Sequence, residues 1–497
     1  MLFWFLSLLP LIGALGLVFF PAQNKSAIRS YSLVVSLMTF IVNIKLIWCF
    51  PKLHWVEKII GWPSLGVDFS IALNPFNIFL ILLTTFFVPV VILASYESIQ
   101  ESVRGFHFCL LLLEGSMVGV FLTSNLWIFY IFWEVMLIPM YFLIGIWGSD
   151  DRQHAAIKFV LFTLGGSLFM FISILTLGYL HYQQLGNWNF DIASLQTLNL
   201  PFGIQKWIFI GLFLGFAVKI PLVPVHTWLP DAHGQAPTAG SVLLAAILLK
   251  MGVYGFVRVC MPILPDAVLF FSDFIAILSV IGILYGAMLA MAQTDIKRLI
   301  AYSSISHLGF CMLGVASLNI VGVTGGLLQA LNHAISTGAL FLLVGMLYER
   351  AHTKKISDFG GLANKLPVFT VVFAITTLSS IGLPGLNNFV GEFLCLFGAF
   401  QNNYWWAVWS SMGVVLAAGY MLFLFKKVFY GTQGKLDYAS WKDLTARELG
   451  ILIPLLILMV GIGVFPRLLL HPLEKSANAF LKPIAKIQSV KSCCVVK

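Results

Sequence analysis

Charge is what this sequence has least of. Only 10% of its 497 residues are Asp, Glu, Lys or Arg, against about 25% in a soluble domain. That scarcity excludes a soluble enzyme, a nucleic-acid reader and a disordered scaffold. The seven cysteines, Cys49, Cys109, Cys260, Cys311, Cys395, Cys493 and Cys494, contain no C-x-x-C or C-x-x-C-H. Iron–sulfur, haem-c and zinc spacings are therefore missing, and the five scattered cysteines read as small apolar fillers in helices. Cys494 to Lys497 fits a C-a-a-X lipidation box only in form, because a terminal Lys is the wrong last residue. Met1 opens an apolar run without a basic n-region or an A-x-A site, so it begins a membrane span and not a signal peptide. Period-two alternation is absent from the long apolar stretches, which excludes a membrane β-barrel.

What remains is apolar. Hydrophobic residues make up 60% of the chain and mean hydropathy is +0.95. At roughly 20 residues per crossing this is an all-α polytopic membrane protein. Fourteen transmembrane helices are expected near 1–20, 30–50, 72–96, 106–123, 125–147, 155–181, 206–229, 238–261, 268–293, 298–318, 321–348, 366–402, 404–430 and 447–470. The seventh is interrupted by Pro221 and Pro224 and is expected to end at Pro230. The twelfth carries Pro384 and Gly385 in its middle and reads as two half-helices. Backbone breaks at membrane depth survive only where protein buries them or water reaches them. The two broken helices are five spans apart, so helices 4–8 and 9–13 read as two five-helix repeats, the second inverted. The domains expected are 1–105 (helices 1–3), 106–261 (first repeat), 262–430 (second, inverted repeat) and 431–497 (helix 14 and a basic tail).

Net charge is +9, and in a membrane chain its distribution sets topology. With the N-terminus outside, the inward loops carry 15 Lys and Arg, Lys297 and Arg298 among them, against 4 outside (Lys52, Lys58, Lys206, Arg258) before the tail. The six tail cations, ending at Lys497, face a partner or lipid headgroups.

Within spans lie Lys45, Lys158, Lys219, Lys250, Glu114, Glu134 and Glu392. Each costs on the order of 2.5–3.5 kcal/mol at a helix centre. Lys45 is near a helix end and can snorkel. Lys158, beside Asp150 and Asp151, reads equally as structural or functional. Glu134, in IFWEVMLIPMYFLIGIW with Pro139 five residues on, is one half of a structural ion pair or a titratable partner. Glu114, in LLLEGSMVGV, is a protonated structural acid or an auxiliary proton site. Lys219 stands directly before the break in FAVKIPLVPVHTWLPDAHGQAP; it either plugs carbonyls orphaned by the break or switches a proton as Glu134 moves. Lys250, in LLAAILLKMGVYG, has no acid near it in sequence and suits proton carriage. His307 (SSISHLGF) and His333 (LQALNHAISTGAL) are packing residues or relay members near neutral pH. His226, Asp231 and His233 lack a second cluster and are not read as a metal site. Glu392, in LPGLNNFVGEF, mirrors Lys219 at the second break with opposite sign.

These segments carry a resemblance. FAVKIPLVPVHTWLPDAHGQAPTAGSVLLAAILLKMGVYG, IFWEVMLIPMYFLIG and DIKRLIAYSSISHLG resemble the antiporter-like membrane subunits of respiratory complex I, NADH-quinone oxidoreductase, over essentially the whole chain. The acid in GLPGLNNFVGEF is similar to the family's M-type branch in bacteria, where the L- and N-type chains carry lysine. The resemblance implies a proton-translocating chain of a bacterial plasma-membrane translocase, driven by quinone reduction elsewhere. It implies that Glu134 and Lys219 form an ion pair, Lys250 is the central lysine, His307 and His333 belong to the polar axis, Glu392 faces the exit and Glu114 is a second acid. It implies L-type and N-type chains and lipid as partners. No cofactor is expected on this chain; NADH, FMN, iron–sulfur clusters and quinone belong to other subunits. The D-type subunit of a multi-chain sodium/proton antiporter is the alternative.

Overall fold

In lipid a backbone must satisfy its own polar groups, so long apolar runs become helices. The computed structural model describes residues 2–49 and 55–495; Lys52 and Lys497, counted above, lie outside the described residues. Its principal helices are Phe5–Phe19 (α1), Lys25–Trp48 (α2), Pro75–Ala94 (α3), Val103–Leu122 (α4), Leu126–Trp147 (α5), Arg152–Leu185 (α6), Phe202–Lys219 (α7), Trp228–Gln235 (α8) and Thr238–Ile263 (α9). They continue with Pro265–Met291 (α10), Ile296–Ala316 (α11), Ile320–Ala351 (α12), Pro367–Ser380 (α13), Asn387–Asn402 (α14), Tyr404–Phe429 (α15), Ala446–Val464 (α16) and Arg467–Val495 (α17). Twelve of the described helices are long and apolar enough to cross a membrane, and α1 and α13 are shorter apolar helices.

Three of these helices form the centre. The apolar windows of α9, α11 and α12 are 94%, 94% and 100% buried, while those of α2, α15 and α16 are 33% buried and show most of their surface to the outside. A helix enclosed on all sides has no lipid to face, so any ionisable group on it must be met by protein.

Both expected breaks are present. Between α7 and α8 the chain is irregular over 220–227, and between α13 and α14 over 381–386. Gly382 and Gly385 turn the second break with φ of +74° and +93°, angles that strain any residue with a Cβ. The first break departs from expectation at its far side. Pro230 does not end the helix, because it is the third residue of α8, where a backbone N–H has no intrahelical partner to lose.

Two further elements correct the sequence reading. An antiparallel hairpin, β1 (Trp55–Trp62) and β2 (Val67–Leu73), departs from the all-α expectation. It packs over the start of α5, where Ser124 N donates to Ser70 O at 2.9 Å and Asn125 Nδ2 donates to Gly66 O at 3.1 Å. The basic tail is the long helix α17. Leu473, Ala477, Phe480 and Ile484 are buried on one face, at a spacing that makes a single helical stripe, and Lys475 and Lys482 are exposed on the opposite side.

Candidate functional site

Lys219 is the last residue of α7. Beyond it Pro221 and Pro224 cannot donate, so the helix cannot continue. The Val218 carbonyl left at this end accepts from Trp228 Nε1 at 3.0 Å, and Trp228 is fully buried. An indole, and not the lysine, thus occupies that orphaned carbonyl. Lys219 Nζ has no hydrogen-bond partner. It lies 5.4 Å from the Trp133 ring centroid and 5.7 Å from that of Phe159, within cation–π range.

Glu134 follows Trp133 on α5. Pro139 removes the N–H that would hold the Val135 carbonyl, and α5 is interrupted at Met136, just past the acid. The Glu134 side chain interacts with Tyr130, Ser167 and Lys219. The close ion pair expected from the sequence does not form, since no contact of 4.0 Å or less joins Glu134 to Lys219 among the described residues, and Glu134 Oε1 has no partner. Aromatic faces hold the ammonium, and the two charges stand apart.

Lys250 is central to α9 and fully buried. Wider π-helical turns, Leu244–Leu248 and Phe256–Cys260, flank it. Such turns recur at functional sites; here the first one turns the Ala245 carbonyl toward Lys250 Nζ, which donates to it. The same Nζ lies 2.6 Å from His333 Nδ1 on α12. The His333 and His307 rings are 5.6 Å apart. His307 Nδ1, on α11, is 2.8 Å from Glu392 Oε1 on α14, and that oxygen also accepts from Gln329 Nε2 at 3.0 Å. Four expected residues therefore meet in one line: Lys250, His333, His307 and Glu392.

The start of α14 is tied to α12, which sets Glu392 in place. Asn332 Nδ2 donates to Asn387 O at 2.7 Å, Asn387 Nδ2 returns to Asn332 O at 3.2 Å, and Asn388 Nδ2 donates to Ser336 Oγ at 3.0 Å. Glu114 stands apart from both groups. It is fully buried on α4 and neither carboxylate oxygen has a partner. Beside it Ser7 Oγ donates to Gly115 O at 2.8 Å, marking where α1 crosses α4 closely.

Lys158 pairs with neither Asp150 nor Asp151. Its Nζ lies 2.6 Å from Asp231 on α8, whose other oxygen is 2.6 Å from Arg298 on α11. One acid thus joins three helices. Lys354, past the end of α12, donates to Ser149 Oγ and Gly234 O, both at 2.7 Å. Burial holds its ammonium below the usual lysine range, opposed by Asp295 and Asp150.

From sequence, Gln329 is not singled out, and His233 is named only in a rejected metal site and Lys297 only as a loop cation; all three are buried. His233 stacks on Phe341 at 4.5 Å. Lys297, counted above among the inward loop cations, instead points into the protein, with Nζ donating to Ala236 O at 2.9 Å. Beside Arg298, which takes the outward position, it gave no sign of doing so. Among the described residues no three His, Cys, Asp or Glu side chains converge as a metal would require.

Long apolar helices, two helix breaks and a row of buried ionisable groups define a polytopic membrane protein with a polar path through its centre. Residues 123–417 match the family described as NADH:quinone oxidoreductase/Mrp antiporter, TM, and the chain belongs to that family. The NADH-quinone oxidoreductase subunit M of Rickettsia typhi is 39% identical over 483 residues, covering 95% of this chain and 97% of its own length. A chain of respiratory complex I from Thermus thermophilus superimposes with a TM-score of 0.88 at 32% identity, covering 97% of this chain and 100% of its own. A chain of the Mrp complex from Dietzia sp. gives 0.84 at 20% identity over 99% of both, a likeness of fold alone.

Proposed function

We propose that this chain is a proton-translocating membrane-arm subunit of NADH-quinone oxidoreductase. The observation that carries this reading is the line Lys250–His333–His307–Glu392, with contacts of 2.6 and 2.8 Å at its two ends. The likeness to M subunits favours it over a D-type sodium/proton antiporter subunit. A protonated Lys250 donates to His333 Nδ1; the imidazole passes a proton from its other nitrogen toward His307, and His307 delivers it to Glu392. His307 Nε2 and His333 Nε2 have no protein partner, so both are free for that middle step. Glu134 and Lys219 form the second group, in which movement of the acid relative to the ammonium changes how firmly Lys219 holds its proton. Glu114 is an auxiliary acid.

On this reading the chain has 14 spans. The two broken pairs count once each, helices 4–8 (α4 to α9) form the first repeat, expected at 106–261, and helices 9–13 (α10 to α15) form its inverted copy, expected at 262–430. Residues 1–105 and 431–497 flank them. The chain sits in a bacterial plasma membrane between L-type and N-type chains and carries no redox cofactor itself. Purification in mild detergent tests the assignment. Flavin and iron–sulfur subunits are expected to co-purify; recovery with only small antiporter chains would overturn it.

A further inference from the structure

Asp231 lies in the middle of the short helix α8 and draws cations from two other helices. Lys158 Nζ on α6 is 2.6 Å from one of its oxygens, and Arg298 Nη2 on α11 is 2.6 Å from the other. The three side chains are 23% to 43% exposed, and ion pairs that touch water add little to stability. Holding the fold together is therefore a weak reason for the arrangement.

The far end of α8 is fastened as well. A helix leaves its last carbonyls without intrahelical partners, and here neighbours meet them. Lys354 Nζ donates to Gly234 O at 2.7 Å, Ser149 N to Gln235 O at 2.9 Å and Lys297 Nζ to Ala236 O at 2.9 Å. Cations at a helix C-terminus also suit its dipole. With its middle and its end both held, a helix of eight residues has little freedom to tilt.

The opposite end of α8 reaches Lys219. Trp228, the first residue of α8, donates to the carbonyl of Val218, the residue before Lys219. The Trp228 ring lies 5.4 Å from that of Phe159, which is itself 5.7 Å from Lys219 Nζ. Phe159 directly follows Lys158 on α6. Asp231 thus bears on the Lys219 site by two short paths, along one turn of α8 to Trp228 and through Lys158 to Phe159. Its third contact leads to α11, the helix that carries His307.

We propose that Asp231 is a positioning residue for proton transfer: it holds Trp228 and Phe159 so that Lys219 stands off from Glu134, and it ties that position to α11. This rests on the proton-translocation reading above. Asp231 passes no proton in this role; its charge fixes α8 between α6 and α11.

The test uses the whole complex in sealed vesicles and follows NADH-driven proton movement per assembled complex. Asp231→Asn keeps the shape and one acceptor oxygen but loses the charge that holds both cations. It is expected to assemble and to move protons more slowly, and Asp231→Glu, which restores the carboxylate, to recover part of the rate. Acting through Trp228 makes a further demand. Independent sites give rate losses that multiply, whereas Asp231→Asn combined with Trp228→Phe is expected to lose less than the product of the two single losses. Lys158→Gln removes one arm of the clasp at a side chain 25% exposed, and supplies the same comparison should Asp231→Asn assemble poorly. A wild-type rate per assembled complex from Asp231→Asn, or from Lys158→Gln in its place, would overturn the proposal. Losses that multiply would overturn it too. Lys250→Met serves as the control: a slow rate there beside a wild-type rate in Asp231→Asn rejects only the positioning role, whereas wild-type rates in both reject the translocation reading itself.

Discussion

His307 Nδ1 and Glu392 Oε1 lie 2.8 Å apart although 85 residues separate them in the chain. The contact joins α11 to the half-helix α14 and puts an acid on the end of a row of bases. Glu392→Gln keeps an oxygen that can accept from His307 and Gln329 but cannot take up a proton as a carboxylate does. Assembly is expected to be unchanged and coupled NADH oxidation to fall about tenfold, a loss worth near 1.4 kcal/mol. Activity in membranes matched for assembled complex checks this.

Glu134 and Lys219 are separated by more than a salt-bridge distance. Two charges about 6 Å apart at an effective dielectric near 20 still interact by about 3 kcal/mol, enough to bias a proton without locking the helices together. The double change Glu134→Gln with Lys219→Met removes both charges and strands neither. It is expected to assemble well and pump poorly. Wild-type pumping from the double variant would show the pair to be structural.

Trp228 holds the Val218 carbonyl at the first break. Trp228→Phe keeps most of the ring but leaves that buried carbonyl unmet, at a cost of about 1–3 kcal/mol. The melting temperature of the complex is expected to fall, with a smaller loss of pumping than for Lys219→Ala. Equal losses would mean that the cap, and not the lysine, is what the break requires.

Arg350 grips Glu448 with both nitrogens, at 2.8 and 2.9 Å, fastening the end of α12 to the start of α16. Both side chains are mostly buried. Arg350→Ala is expected to cost roughly 3–5 kcal/mol by stranding the acid. Immunoblots of membranes should show less assembled complex, while pumping per assembled complex stays at the wild-type level.

The sequence made the breaks and the buried charges legible because proline and ionisable groups are conspicuous in apolar runs. Other features gave weaker signals. The stripe Leu473, Ala477, Phe480 and Ile484 is periodic, but from sequence the tail is named only by its cations and given no secondary structure. The alternation Val67, Phe69, Ile71 and Leu73 after a Pro63–Gly66 turn segment announces a strand and was passed over in a short polar stretch. Lys297 and Arg298 are adjacent cations at a helix start, and sequence does not say which turns inward; packing against Ala236 decides it. The distance between Glu134 and Lys219 depends on which neighbours compete for the charges, here the aromatic rings of Trp133 and Phe159 beside Lys219. Those neighbours come from other helices or other turns.

Lys250 stands where the axis either carries protons or does not, since its Nζ contacts His333 and its nearest other acceptor is a backbone carbonyl. The decisive quantity is the number of protons moved per NADH oxidised by the Lys250→Met complex, in sealed vesicles matched to wild type for assembled enzyme. Proton carriage by Lys250 predicts a lower ratio with assembly intact. A ratio equal to wild type would contradict it.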